Sequence, residues 1–429
     1  MDRSGPSHLL DDLAWRGMIA HATDLDALRA ALDAGPVTLY CGFDPTAPSL
    51  HFGNLVQLVT LRRFQEAGHR VIAVVGGATG LVGDPSGRSE ERVLNAEEVV
   101  AGWVDRIRVQ VEGVLRFDGD NPARIVNNLE WTGPMPVLAF LRDVGKHFTV
   151  SRMLAKEVVA TRLEAGISYT EFSYQILQAN DFLELYRRHG VTLQTGGSDQ
   201  WGNLTAGVDL IRRVEGAEVH ALATPLITKA DGTKFGKTAG DSIWMDAAMT
   251  TPYAFYQYFL NQADADAGAL LRAFSFRSPE EIEALERAIV ERPERREAQR
   301  VLAHELTSLV HADAAADAAV AASEALFGTG DLAALDATTL EAATADLPRA
   351  RVERPLPSVV DLLVATGLAP SRGQARRTVA EGGAYVNNVR VADPGATPAE
   401  ADLLHGRWLI LRRGKRAIAA VECAERGVS

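Results

Sequence analysis

Residues 37–41 and 71–75 are short apolar, β-branched runs, each closed by glycine, Gly42 in one case and Gly76 and Gly77 in the other. Between them Leu55, Val56, Leu58, Val59, Leu61 and Phe64 recur at helical spacing, while Gln57, Arg62, Arg63 and Glu66 fall elsewhere and Gly68 supplies the stop. This pattern predicts a βαβ unit of buried parallel strands with a right-handed crossover. A further short strand is expected at 191–193, in a second half of the same sheet. Helical patterning covers 8–34, which would pack over the first strand, and most of 93–165, broken at 119–122 and again at Gly133, Pro134 and Pro136. It returns at 168–185 and, rich in alanine, over 250–347, where Ser278, Pro279 and Glu281 read as a capping box with proline at the first helical position. Residues 349–357, with two prolines and three arginines, read as a linker. Beyond it the pattern predicts a helix near Ser358 and a second one capped by Ser371 with Gln374. A hairpin turning at Asn387 and Asn388 follows, then a last strand at 408–411.

Ligands of parallel α/β sheets sit beyond the carboxyl ends of the strands, where helix N-termini offer N–H groups to phosphate. His51, Phe52, Gly53 and Asn54 fall at such a helix start. Gly53 lets a nucleotide approach the backbone, and His51 and Asn54 can donate to phosphate oxygens. By themselves these four residues are also ordinary turn and cap chemistry. Downstream, 229–238 (KADGTKFGKT) is a glycine-punctuated loop with three lysines, too polar for a core and, taken alone, readable as a solvated loop. Tyr174, Gln178 and Asp181 are spaced by four and three, so one helix face presents three polar side chains; buried, that face needs a ligand or partners.

Taken together, HFGN at 51–54 and KFGKT at 234–238 resemble the paired signatures of the class I aminoacyl-tRNA synthetases. The stretches YCGFDPT at 40–46, GGATGLVGDPSG at 76–87, YQILQANDF at 174–182 and QTGGSDQWGN at 194–203 narrow the resemblance to the bacterial tyrosyl-tRNA synthetase family, in order through nearly the whole chain. Asn54 departs from the histidine expected there and cannot become cationic, and Phe235 and Gly236 replace Met and Ser.

The resemblance implies a Rossmann-like α/β catalytic domain over 1–247 with a helical dimerisation insertion at about 93–165. It implies a helical anticodon-side domain over 248–347, a linker at 348–357 and a small α+β RNA-binding domain over 358–424. It implies tyrosine activation by ATP and transfer to tRNA(Tyr), with His51, Asn54, Thr46, Lys234 and Lys237 stabilising the reacting phosphates. Tyr174, Gln178 and Asp84 would bind the α-ammonium group, Tyr40 and Asp181 the phenol, and Gln200 a further part of the tyrosine site. Gly42, Asp44, Gly53, Gly197 and Asp199 would line the ATP site with Lys237, and Arg88 and Arg92 would hold pyrophosphate. Mg²⁺ would accompany ATP without a dedicated protein cage.

Only Cys41 and Cys423 occur, so no disulfide framework is expected and a reducing cytoplasm is the natural setting. No stretch reaches the ~18 apolar residues of a membrane span, and no membrane association is expected. The net charge of −12 opposes nucleic acid binding in bulk. Its distribution reverses that inference: residues 356–424 carry nine Arg and Lys against six Asp and Glu, a net +3, leaving −15 for the rest. Arg372, Arg376, Arg377, Arg412 and Arg413 are the expected RNA contacts, with Lys415 and Arg416 beyond them. The partners expected are tRNA(Tyr), ATP, L-tyrosine and a second copy of the chain. A tryptophan-activating relative and an RNA-binding scaffold without the chemistry remain the alternatives. Tyr40 with Asp181 favours tyrosine over the first, and the lysines with His51 oppose the second.

Overall fold

The computed structural model describes residues 8–84, 95–154, 159, 166–233, 235, 242–327, 330–345, 347–414 and 417–424. Arg88, Arg92, Lys234, Gly236, Lys237, Lys415 and Arg416 lie outside the described residues. The chain divides into two compact units, Met1–Thr250 with Gln262–Leu302, and Thr251–Asn261 with Ala303–Ser429.

Among the described residues of the first unit the strands are β1 (His21–Ala22), β2 (Thr38–Phe43), β3 (Arg70–Val75), β4 (Arg124–Asn127), β5 (Leu193–Gly197) and β6 (His220–Thr224). They form one sheet in the order β1-β6-β5-β2-β3-β4, parallel except for β1 against β6. β2 therefore has β3 on one side and β5 on the other, so the strand order reverses beside it, and Tyr40 lies in register with Gln194 across that junction. Ligand crevices of α/β sheets open at such a reversal.

The helix Phe52–Glu66 buries Phe52, Leu55, Val56, Leu58, Val59, Leu61 and Phe64, as the spacing predicts. Its polar positions depart from that pattern. Arg63 and Gln65 are buried too: Arg63 donates to the Ser275 carbonyl at 2.6 Å, and Gln65 donates to Arg116 O at 2.7 Å and accepts from Arg116 N–H at 3.0 Å. The helix Tyr169–His189 starts at the Ser168 cap and stops at Gly190 in the left-handed region (φ 65°), where glycine carries no Cβ penalty.

Several expectations are corrected here. The segment 8–34 is two helices, Leu9–Trp15 and Leu25–Ala34, separated by β1. The strand expected at 191–193 lies further on, as β5, so Gly196 and Gly197 are part of it rather than after it. The insertion contains an edge strand, β4, paired in parallel with β3. Residues 262–302 cluster with the sheet rather than with the later helices.

The second unit contains the helices Pro252–Leu260, Asp313–Phe327 and Ala337–Thr344 and a sheet of β7 (Arg349–Val352), β8 (Ala384–Val386), β9 (Val389–Val391), β10 (Trp408–Arg413) and β11 (Ala417–Cys423), ordered β7-β11-β10-β8-β9. The supposed linker thus supplies β7, parallel to β11, because its alternating residues complete the sheet edge. β10 runs to Arg413, and β11 follows it as the final strand. The hairpin turns at Asn387 and Asn388 with φ of 46° and 65°, the two positive values that a two-residue hairpin loop requires. One sheet face packs Ala384, Val386, Leu409, Leu411, Ala419 and Val421 on the helices Val359–Ala365 and Arg372–Ala380. The Asn388 side chain donates to Ala325 O at 2.6 Å, and His405 Nε2 meets Leu335 O at 2.7 Å, tying this module to the helices before it.

Candidate active site

A continuous chain of polar side chains runs through the sheet junction. Tyr174 Oη donates to Asp44 Oδ2 and Thr79 Oγ1 donates to Asp44 Oδ1, each at 2.6 Å. Asn128 Nδ2 donates to Thr79 Oγ1 and to Asp181 Oδ2, each at 2.9 Å, and Trp131 Nε1 donates to Asp181 Oδ1 at 2.7 Å. Asn128 is itself oriented by the Ala78 N–H, 2.7 Å from its Oδ1. Among the described residues each Asp181 oxygen therefore has one protein donor, leaving a lone-pair site for a ligand hydroxyl.

Burial pushes the Asp181 carboxyl up to about 7, against the pull of the Asn128 and Trp131 bonds and with a smaller push from Asp44 and Glu184. Burial, then the Asp181 charge, raises the Tyr40 phenol well above its ordinary value, so Tyr40 remains an O–H donor. Its ring lies 5.3 Å from that of Phe182, and its Oη has no hydrogen-bond partner among the described residues. An unsatisfied buried hydroxyl costs ~1–3 kcal/mol, which a ligand oxygen would relieve. Burial and Asp44 likewise keep Tyr174 protonated.

Asp84 accepts from Gln200 Nε2 at 2.6 Å, and Gln200 Oε1 accepts from Asn203 at 3.0 Å. Gln178 is half-buried one turn after Tyr174 on the same helix. The structure thus brings together Tyr174 with Asp44, and Asp84 with Gln200, and it ties Asp181 to Asp44 through Asn128 and Thr79. Asn128, Trp131 and Thr79 were missed in the sequence, where Thr79 is one polar residue of a glycine-rich stretch and Asn128 and Trp131 sit in a segment read as helical insertion. Asp44, expected at ATP, is engaged by Tyr174 and Thr79.

His51 caps the helix Phe52–Glu66: its Nδ1 accepts from Gly53 N–H at 3.0 Å, and Asn54 Oδ1 accepts from His51 N–H at 3.1 Å. With Nδ1 accepting, the neutral ring carries its proton on Nε2. The cap uses Asn54's oxygen, which gives asparagine a structural reason to stand there, and leaves donation to its NH₂ group. A Cβ at Gly53 would stand 2.8 Å from the His51 ring. Gly42 is exposed at the carboxyl end of β2, and Asp199 is exposed in the turn after β5, beside Gly197. Thr46 is exposed two residues beyond Asp44.

The second signature begins in a tight turn: Gly232 N–H donates to Lys229 O, and Lys229 N–H to Thr233 O, each at 2.8 Å. Phe235 is buried with its ring 5.7 Å from Phe52. Beyond the loop, Phe52 N–H donates to Ile243 O at 2.8 Å, Met245 N–H donates to Leu50 O at 2.9 Å, and the Trp244 ring lies 6.1 Å from His51. The loop is thereby fixed on the first signature through Phe235 and through its downstream flank at 243–245.

In the second unit Arg372 pairs with Asp361 at 2.6 Å, and Arg413 donates to Leu368 O. Arg412 lies 4.6 Å over the Tyr385 ring. Arg376 and Arg377 are exposed, as is Arg390, which the sequence reading did not single out.

Residues 32–328 match the family model of class I tRNA synthetases for tryptophan and tyrosine, and residues 339–421 match that of the tyrosine–tRNA ligase C-terminal domain. The chain is 62% identical to the tyrosine–tRNA ligase of Acidothermus cellulolyticus over 97% of its own length and 100% of that protein. It is 58% identical to the tyrosine–tRNA ligase of Mycobacterium bovis over 96% of its length and 98% of the relative's. Among solved structures, a C-terminally truncated mitochondrial tyrosyl-tRNA synthetase of Aspergillus nidulans superposes with a TM-score of 0.67 at 29% identity, covering 73% of this chain and 92% of that one. Near-complete coverage at such identity, together with both domain matches, leads to one conclusion: the chain belongs to the tyrosine–tRNA ligases, a family of class I aminoacyl-tRNA synthetases.

Proposed function

We propose that ligation of tyrosine to tRNA(Tyr) runs in this chain on two residue sets that meet at the sheet junction. The observation that carries the reading is the pair formed by Asp181, with one donor to each oxygen, and Tyr40, whose hydroxyl has no partner, both counted among the described residues. The substrate phenol donates to Asp181 and accepts from Tyr40. Phenylalanine would leave both groups unpaired, and tyrosyl synthetases are themselves the standing example of rejection by this means. Tyr174, Gln178 and Asp84 receive the ammonium group, with Gln200 holding Asp84.

The tyrosine carboxylate oxygen attacks the α-phosphorus of ATP, the bond to the bridging oxygen breaks, and pyrophosphate leaves. No protein nucleophile is needed; positioning and charge stabilisation do the work. His51 through Nε2–H, the Asn54 NH₂ group, Thr46, Lys234 and Lys237 stabilise the phosphates, while Arg88 and Arg92 hold the departing pyrophosphate. Gly42, Gly53, Gly197 and Asp199 bound the nucleotide, and Mg²⁺ arrives as part of the MgATP substrate. The ribose hydroxyl at the tRNA terminus then attacks the tyrosyl carbonyl carbon and AMP leaves.

Exposed Val137, Leu138, Leu141 and Val150, crowded into one short segment of the insertion, support a homodimer formed there. Two buried free cysteines support a reducing, cytoplasmic setting. Arg376, Arg377, Arg390 and Arg412 support tRNA binding by the C-terminal module. Arg372 and Arg413, with intramolecular partners, are weaker contributors. In a chain ending at Pro348, tyrosine-dependent pyrophosphate exchange should persist and charging of tRNA(Tyr) should collapse. Equal loss of both would count against the modular assignment.

A further inference from the structure

The turn that opens the second lysine-bearing loop is held by a residue from neither signature. Ala230 N–H donates to Asp266 Oδ1 at 2.7 Å, and Asp266 is 9% exposed. It stands in the first turn of the helix Asp264–Phe274, which Ala263 begins without a side-chain cap. A carboxylate there is favoured by the helix dipole and could satisfy the helix's own N–H groups. This one reaches across to the loop.

The helix is held at both ends. Arg16 donates to Arg272 O, Ser275 O and Arg277 O at 3.0, 2.9 and 2.8 Å, and Arg63 donates to Ser275 O at 2.6 Å, so two buried guanidinium groups hold the backbone at its C-terminal end. Asp12 pairs with Arg16 at 2.8 Å, which compensates part of that buried charge. Arg272 forks onto Glu286 at 2.6 and 2.7 Å, and Gln299 donates to Asp264 at 2.6 Å. Phe274 lies 4.6 Å from Phe52, the residue on which Phe235 rests. One rigid helix thus touches the first signature through Phe274 and the second through Asp266.

We infer that Asp266 is a positioning residue for tyrosine activation, setting the entrance of the 229–238 loop so that its lysines meet the nucleotide phosphates. The inference rests on the roles given above to Lys234 and Lys237. Misplacing a charge-stabilising group by about 1 Å costs on the order of a hundredfold in rate even when the mutation is remote from the chemistry.

The full chain is assayed by tyrosine-dependent ATP–pyrophosphate exchange. Asp266→Ala should lower kcat by about ten- to a hundredfold, the loss of one charge-assisted bond, while the tyrosine KM stays within about twofold. Asp266→Asn keeps an acceptor oxygen and should retain the rate within about threefold. Ala230→Pro, which deletes the donating N–H from the loop side and leaves the helix untouched, should reproduce the kcat loss. Trypsin should cut Asp266→Ala faster at the loop lysines. A wild-type kcat in Asp266→Ala alongside an impaired Lys237→Ala would overturn the inference and leave the lysine assignment standing. So would an Asp266→Asn as impaired as the alanine variant. A wild-type rate in Lys237→Ala would overturn both.

Discussion

The buried carboxyl of Asp181 makes tyrosine recognition pH-dependent in a direction that the geometry fixes. Burial pushes this group up to about 7, because the bonds from Asn128 and Trp131 do not compensate the desolvation of its charge. The substrate phenol binds by donating its O–H to the carboxylate, so the ionised form is the competent one. Tyrosine affinity should therefore be complete above pH 7 and fall by about tenfold for each unit below it, reaching about a hundredfold at pH 5. Binding is read by calorimetric titration between pH 5 and 8.5. Asp181→Asn cannot titrate and should bind weakly but evenly across the range. Phenylalanine offers the carboxylate no donor, so its affinity on the wild-type chain should not fall on acidification. A wild-type tyrosine affinity unchanged from pH 8 to 5, or an Asp181→Asn profile that keeps the slope, would refute the reasoning. The same shift acts on folding with the opposite sense. A carboxyl raised above its ordinary value of 3.8 favours the folded state at low pH, and that contribution disappears as pH rises towards about 7. Wild-type stability in urea, relative to Asp181→Asn, should then drop by about 4 kcal/mol over that interval.

Gly76→Ala would drive a Cβ into Asp44 Oδ1 and Thr79 Oγ1. Breaking that junction should weaken tyrosine binding by about ten- to a hundredfold in the same titration, the scale of one bond to a charged group. Lys237→Ala should depress adenylate formation by about two to three decades, followed in single turnovers, with tyrosine affinity barely changed. Leu138 is 80% exposed and Val137 71%. Leu138→Asp should convert a dimer to monomer by light scattering, and an unchanged mass would move the interface elsewhere.

The catalytic half was legible because its chemistry is local. The βαβ unit announces itself through two apolar runs and one helical period, and the polar triplet Tyr174, Gln178 and Asp181 follows from spacing alone. Hidden instead were the connectors. Asn128 and Trp131 act on Asp181 from about fifty positions away in sequence, and no period links them. Arg63 reads as part of a polar face because charge usually marks solvent, yet it is buried where a carbonyl receives it, and Gln65 is buried beside a carbonyl that no pattern announces. β4 and β7 are four-residue edge strands, too short to stand out as strands from the residues around them. The role of 262–302 was invisible for another reason: apart from the Phe274 ring on Phe52, its ties to the sheet run largely through backbone carbonyls and Ala230 N–H, which leave no trace in residue type.

The central claim is that this site activates tyrosine and reads its phenol. ATP–pyrophosphate exchange without tRNA, comparing tyrosine, phenylalanine and tryptophan on the full chain, tests it most directly. The account predicts rapid exchange with tyrosine and negligible exchange with the other two. Comparable exchange with phenylalanine would contradict the Asp181–Tyr40 pair as the phenol reader, and no exchange with any of the three would contradict the activation chemistry itself.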